Sequence, residues 1–167
     1  HEYTKERYDL TRFKNKAYEK LEPYKSKYNI EFIQEYSVPA AENFDDGYLD
    51  WVYLDAAHDY KNVKIDLAHW LPKVKKGGFI CGHDLTLTGG WAGVDWAVSE
   101  FVVRYVLNKG EEIDKIFSNT NKDSLVKTDH VALPENIVNL MNECEHLQSD
   151  HSFAIRSYAI QVGDWVE

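Results

Sequence analysis

Two short apolar runs, "LDWVYL" at 49–54 and "FICG" at 79–82, each stop abruptly at ionisable side chains. Asp55, His58 and Asp59 follow the first run, and His83 and Asp84 follow the second. Between them, "YKNVKIDLAHWLPKV" carries Val63, Leu67 and Trp70 on one side of a helix. Strand, helix, strand in that order is the signature of an α/β chain with a parallel sheet. "FICG" is apolar without alternation, as in strands whose sheet is covered by helices on both faces. In an open parallel sheet, ligands bind outside the carboxyl ends of the strands. Both ionisable clusters are therefore expected on the floor of one crevice.

The rest of the chain fits this pattern. Leu10, Phe13, Ala17 and Leu21, at spacings of three and four, predict an amphipathic helix within 9–28, stopped near Pro23. "IEFIQEY" (30–36) reads as a strand. "SVPAAENF" reads as a turn and a short helix, with Ser37 as N-cap and Pro39 in the first turn. "GVDWAVSEFVVRYVLNKG" (93–110) has helical spacing and is closed by Gly110. "EIDKIFS" reads as a further strand, and a helix is expected around 134–147 in an otherwise polar, irregular stretch. The tail "SFAIRSYAIQVGDWV" alternates, as an antiparallel hairpin or one long strand would.

Bulk properties narrow the class. A chain of 167 residues with 44% hydrophobic content suits one domain, 1–167, with a real core. Its formal charge of −9 argues against non-specific nucleic-acid binding, which wants a basic face. The cysteines, Cys81 and Cys144, form no CxxC pair, so a disulfide framework or zinc site is not expected, and Cys81 reads as a buried thiol. No apolar run approaches the roughly 20 residues of a membrane span. The opening "HEYTKERYDLTRF" has no apolar core of a signal peptide. A soluble, cytoplasmic protein is the expectation.

Carboxylates with an imidazole suit a divalent cation such as Mg²⁺ or Mn²⁺, or relay a proton. The competing reading is that such acids cap the next helix and face water. Asp66 and His69, inside the helical segment, read as surface residues. Gly77 and Gly78 read as a tight turn feeding the strand. "LTGGWAG" (87–93) reads as either an active-site lid carrying Trp91 or a plain loop. It lacks the Lys and Ser/Thr of a phosphate loop.

The segment from "IEFIQEYSVPAAENF" through "DWVYLDAAHDY" to "GGFICGHD", followed by "GVDWAVSEF", resembles class I S-adenosylmethionine-dependent methyltransferases. The D-x-x-H-x-Y and G-G-x-x-x-G-H-D strand ends are similar to those of a branch related to sugar and macrolide O-methyltransferases. The likeness covers roughly residues 10–105. It implies a Rossmann-like, mostly parallel sheet with an antiparallel C-terminal strand, and S-adenosylmethionine as methyl donor. By position it implies that Asp55 and Ala56 lie beside the donor's methionine end, and that Tyr36 and Ser37 lie near its adenine. It implies Asp55, His83 and Asp84 as metal ligands, with Asp55 and His58 catalytic and His58 the base for a small-molecule or carbohydrate hydroxyl.

One feature of the family has no counterpart. Its first strand, with a Gly-rich turn, and its second, with an acid for the ribose, are expected ahead of residue 1. In the family's order they lie between the third and fourth strands, leaving a slot roughly 10–15 Å wide. Direct pairing, an N-terminal segment, or a strand from a partner or second copy would close it. "SYAIQVGDWVE" also resembles such a first strand, although the last-strand reading is preferred. The alternative to an enzyme is a non-catalytic module of the same fold that binds a partner chain; a metal-dependent hydroxylase-like relative is a third reading.

Overall fold

Strands β1 (Leu49–Leu54) and β2 (Val74–Gly82) pair in parallel, with Val52 opposite Ile80 and Leu54 opposite Gly82. The computed structural model describes residues 10–87, 92–118, 120–125, 131–150, 157–163 and 165. The chain divides after Gln34 into two compact units.

The first unit contains α1 (Leu10–Leu21), which gives way to a 3₁₀ turn, Glu22–Tyr24, at Pro23. That break is expected where proline cannot continue the hydrogen-bond ladder. The returning chain stacks Phe32 against Tyr18, with ring centroids 4.0 Å apart. The strand expected over 30–36 does not form; the segment is irregular. Among the described residues it pairs with no strand. β-branched and aromatic residues favour a pleated surface only where a neighbour accepts their backbone groups.

The second unit holds one four-stranded sheet in the order β1-β2-β4-β3, with β3 at Leu147–Asp150 and β4 at Ser157–Gln161. β4 runs antiparallel to both β2 and β3, so the tail forms the expected antiparallel strand and not a first strand beside β1. β1 and β2 are joined through α3 (Tyr60–Trp70), the predicted strand–helix–strand unit. This mixed α/β arrangement fits a methyltransferase-like fold.

The register sorts the side chains by face. Val52, Leu54, Ile80, Tyr158 and Ile160 share one face, which joins the core with Tyr60, Val63 and Leu67 of α3 and with α4 (Ala92–Phe101). Trp51, Tyr53, Phe79, Cys81 and Ala159 share the other. There Trp51 is 61% exposed, Tyr53 is 46% exposed and Cys81 is only half-buried. Helices on both faces were expected; among the described residues of this unit they cover one. Gly77 and Gly78 lie inside β2, at a register shift opposite Leu49–Trp51, and Gly77 takes φ +84° there. No helix among the described residues is long and apolar enough to cross a membrane.

All ten residues of α4 are buried. The helix expected over 93–110 breaks earlier, passing into a π-helical turn at Val102–Val106, and Gly110 opens α5 (Gly110–Phe117) instead of closing α4. The segment read as a strand, "EIDKIFS", is therefore helical. Ile113 and Phe117, four apart, are both buried, and this helical pairing decides the outcome over local strand propensity. α6 (Glu135–Glu143) falls where a helix was expected and buries Ile137 and Met141.

Glu100 ties α4 to α3, to the π-helical turn and to Lys122. Its buried carboxylate accepts from the Tyr60 hydroxyl and lies 3.0 Å from Arg104 Nη2, 3.3 Å from Lys64 Nζ and 3.3 Å from Lys122 Nζ. Burial pushes its pKa up, but the Tyr60 bond and the charges of Lys122, Arg104 and Lys64 outweigh that, and the net shift is downward. A carboxylate with a depressed folded pKa contributes stability above its unfolded pKa, and loses it as pH falls through the folded value. Glu100→Gln is expected to lower stability at neutral pH by about 2 kcal/mol. The deficit should shrink on acidification below roughly pH 4.5. Denaturant titrations of both proteins across pH 3–7 check this.

Candidate functional site

Leu54 and Gly82 end their strands side by side, so the residues that follow emerge at the same level of the sheet. Gly82 is required there: a Cβ would lie 2.5 Å from the Tyr158 hydroxyl oxygen and 2.7 Å from the Leu54 carbonyl oxygen. Beyond the strand ends, Asp55, His58 and Asp84 converge, each offering a ligand-type atom within 4.8 Å of the others. His58 Nε2 stands 3.0 Å from Asp55 Oδ1 and 3.1 Å from Asp84 Oδ2. Asp55 is half-exposed on the solvent side, while Asp84 is buried.

The helix-capping alternative holds for a different residue. Asp59 is the N-cap of α3, accepting from the Asn62 amide at 3.0 Å and from Asn62 Nδ2 at 2.7 Å. That bond fixes the turn on which His58 sits. Asp84 adopts φ +67°, uncommon for a residue other than glycine, and turns the chain sharply out of β2. Gly93, near the start of α4, lies so close to the 58–60 backbone that a Cβ there would collide with the His58 carbonyl oxygen and sit 2.8 Å from the Tyr60 nitrogen.

The donor set fits a divalent cation. Two carboxylates and one imidazole nitrogen meet at one point, and Nε2 offers either one hydrogen or one lone pair there. Atoms in adjacent positions around an octahedral ion with bonds of ~2.1 Å stand about 3 Å apart, which matches both His58 spacings. Oxygen donors suit Mg²⁺ or Mn²⁺, and the imidazole tilts the preference away from Mg²⁺.

The other expected residues are placed around this trio. His83, a third exposed, puts Nδ1 2.9 Å from Asp84 Oδ1, so it meets the carboxylate's other oxygen and stands outside the three-donor group. Ala56 is exposed next to Asp55. Tyr36 is 88% exposed, just before α2 (Ser37–Ala41). Tyr36, not Ser37, is the N-cap of α2. The Ser37 hydroxyl instead accepts from Trp70 Nε1 at 2.9 Å and donates to Asp66, which docks α2 on α3. Asp66 is buried, contrary to the surface reading, and burial pushes its carboxyl pKa up. His69 is exposed as expected, with Nδ1 2.8 Å from the Ile65 carbonyl oxygen. Trp91 and most of the glycine-rich 87–93 stretch lie outside the described residues.

Beside His58 is a cavity of about 10 Å³, also bordered by Asp66, His83 and Tyr158. That is room for about one water, far less than a nucleoside. Burial and the charges of Asp55, Cys81 and Asp84 raise the pKa of Tyr53, whose ring therefore senses the same carboxylates from the opposite sheet face. Asp95, passed over in the sequence, also reaches this region; its partners, Thr86 and Leu87, lie in the loop after β2, where no periodic spacing marks them.

Residues 3–85 match a family described as a methyltransferase domain. The match spans about half of the chain and ends just after Asp84, so it includes both strand ends and the whole trio. It supports an S-adenosylmethionine-dependent methyltransferase. No curated protein and no solved structure matches the chain.

Gly93→Ala is expected to force α4 away from the His58–Tyr60 backbone, with an overpacking cost of about 1–3 kcal/mol. Thermal unfolding measures that cost. A Tm equal to wild type would show that the close approach is not a constraint.

Proposed function

We propose that the chain is an S-adenosylmethionine-dependent O-methyltransferase acting on a small-molecule or sugar hydroxyl, with a divalent cation held by Asp55, His58 and Asp84. The observation that carries this reading is the convergence of those three donors at two adjacent parallel strand ends, within the segment similar to methyltransferase domains. Methyl transfer requires the donor carbon and acceptor oxygen to be aligned and the acceptor's proton removed. A bound Mg²⁺ or Mn²⁺ would supply a Lewis acid that lowers the acceptor's pKa.

In this reading the chain's residues divide the work. Buried Asp84, the turn-mounted His58 and one oxygen of Asp55 would hold the cation. His58 offers Nε2 to the shared point, so it acts as a ligand in the loaded site and as a base only in an unloaded one. Asp55, half-exposed, would use its second carboxylate oxygen to take the acceptor's proton. Asp55 and Ala56 would hold the methyl donor on their solvent side, since the cavity beside His58 has room for about one water. Tyr36, exposed at the start of α2, offers a ring for the adenine, while the Ser37 hydroxyl is already engaged with Trp70 and Asp66.

A second reading is supported by the open sheet face and edge. β1 pairs only with β2 among the described residues, and Tyr48, Trp51 and Tyr53 are exposed. A non-catalytic module would take up a further strand there from another segment, a partner or a second copy.

Labelled methyl transfer to sugars and phenols, together with calorimetry against S-adenosylmethionine, tests the two readings. The enzyme reading expects cofactor heat and cation-dependent label transfer. It also expects Asp55→Asn to retain its fold while losing roughly 10²–10⁴-fold in turnover. Absence of cofactor heat would favour the module, and full activity in Asp55→Asn would remove that residue from the chemistry.

A further inference from the structure

We propose that Asp95 is a positioning residue for the cation site, setting the place of Asp84 by clamping the loop that carries it; the inference rests on the cation reading above. Asp95 is fully buried in α4. Its Oδ1 accepts from the Thr86 amide at 2.7 Å and the Leu87 amide at 3.0 Å, and its Oδ2 accepts from the Thr86 hydroxyl at 2.7 Å. These donors stand two and three residues beyond Asp84.

The loop needs such a clamp. Asp84 and Leu87 both take left-handed backbone conformations, with φ +67° and +56°. Each is costly for a non-glycine residue and persists only where the surroundings over-determine it. Bonds to an ionised acceptor are roughly twice as strong as neutral ones, and one buried carboxylate grips two consecutive amides of the strained turn.

The same helix turn also meets the other arm of the site. Gly93 abuts the His58 carbonyl, and Asp95, two residues on, grips the loop of Asp84. α4 thereby acts as a jig between the two arms, and the 3.1 Å between His58 Nε2 and Asp84 Oδ2 is the spacing that it sets. Groups that orient metal ligands typically change metal affinity 10–100-fold when altered.

The test is Mn²⁺ titration calorimetry on the full chain, well below its Tm, for wild type, Asp95→Asn, Thr86→Val, Asp84→Asn and the Asp84→Asn/Asp95→Asn double variant. The expected result is at least about tenfold weaker Mn²⁺ binding in Asp95→Asn, with a smaller loss in Thr86→Val. The double variant should bind no more weakly than Asp84→Asn alone, because Asp95 acts through Asp84. A folded Asp95→Asn with wild-type affinity overturns the proposal, as does an additive loss in the double variant, which would mark a general loosening. Should Asp95→Asn fail to fold, Thr86→Val decides, and unchanged affinity there overturns it. A wild-type chain that does not bind Mn²⁺ would instead sink the cation reading itself, and this inference with it.

Discussion

The parallel register of β1 and β2 is the constraint from which the site follows. Leu54 stands opposite Gly82, so both strands release their chains at one level, and the next ionisable residues on each side fall within bonding distance. A slip of one residue in either strand would turn its side chains to the opposite face and break the trio. The absence of a side chain at Gly82 holds that register in place, since Tyr158 crosses the sheet surface directly over it.

The second support is the buried helix α4. A carboxylate on a helix enclosed on all sides is costly unless it is paired, and Asp95 and Glu100 are paired in different ways. Asp95 uses backbone amides of the loop after β2, and Glu100 uses Tyr60 and three cationic side chains from neighbouring segments. Removing one partner from such an arrangement leaves a buried charge exposed to the low-dielectric interior, which is why both carboxylates hold their surroundings rigidly. Rigidity at α4 passes to the site through the contact at Gly93.

Much of this was legible in the sequence for a physical reason. The 49–54 strand, the helix after it and the apolar run ending at Gly82 show their periods in local residue types, and the acids at their ends announce a crevice. The 30–36 segment misled because its composition suits a strand while its pairing depends on neighbours. "EIDKIFS" misled because Ile113 and Phe117 satisfy a helical face as well as a strand. Asp66 and Asp95 were invisible as buried groups because their environments are assembled from distant segments: Ser37 in one case and the Thr86 loop in the other. The convergence of His58 between Asp55 and Asp84 was foreseen only as a neighbourhood; which histidine stands between the carboxylates is a matter of turn geometry set by Asp59 and Asn62.

Whether those three side chains share a cation can be observed directly. Crystals grown with Mn²⁺ and measured near the manganese absorption edge would place the ion without reference to activity or substrate. An anomalous peak about 2.1–2.2 Å from His58 Nε2 and from one oxygen each of Asp55 and Asp84 is the predicted result. A map with no peak there, and His58 simply hydrogen-bonded between the two carboxylates, would contradict the account.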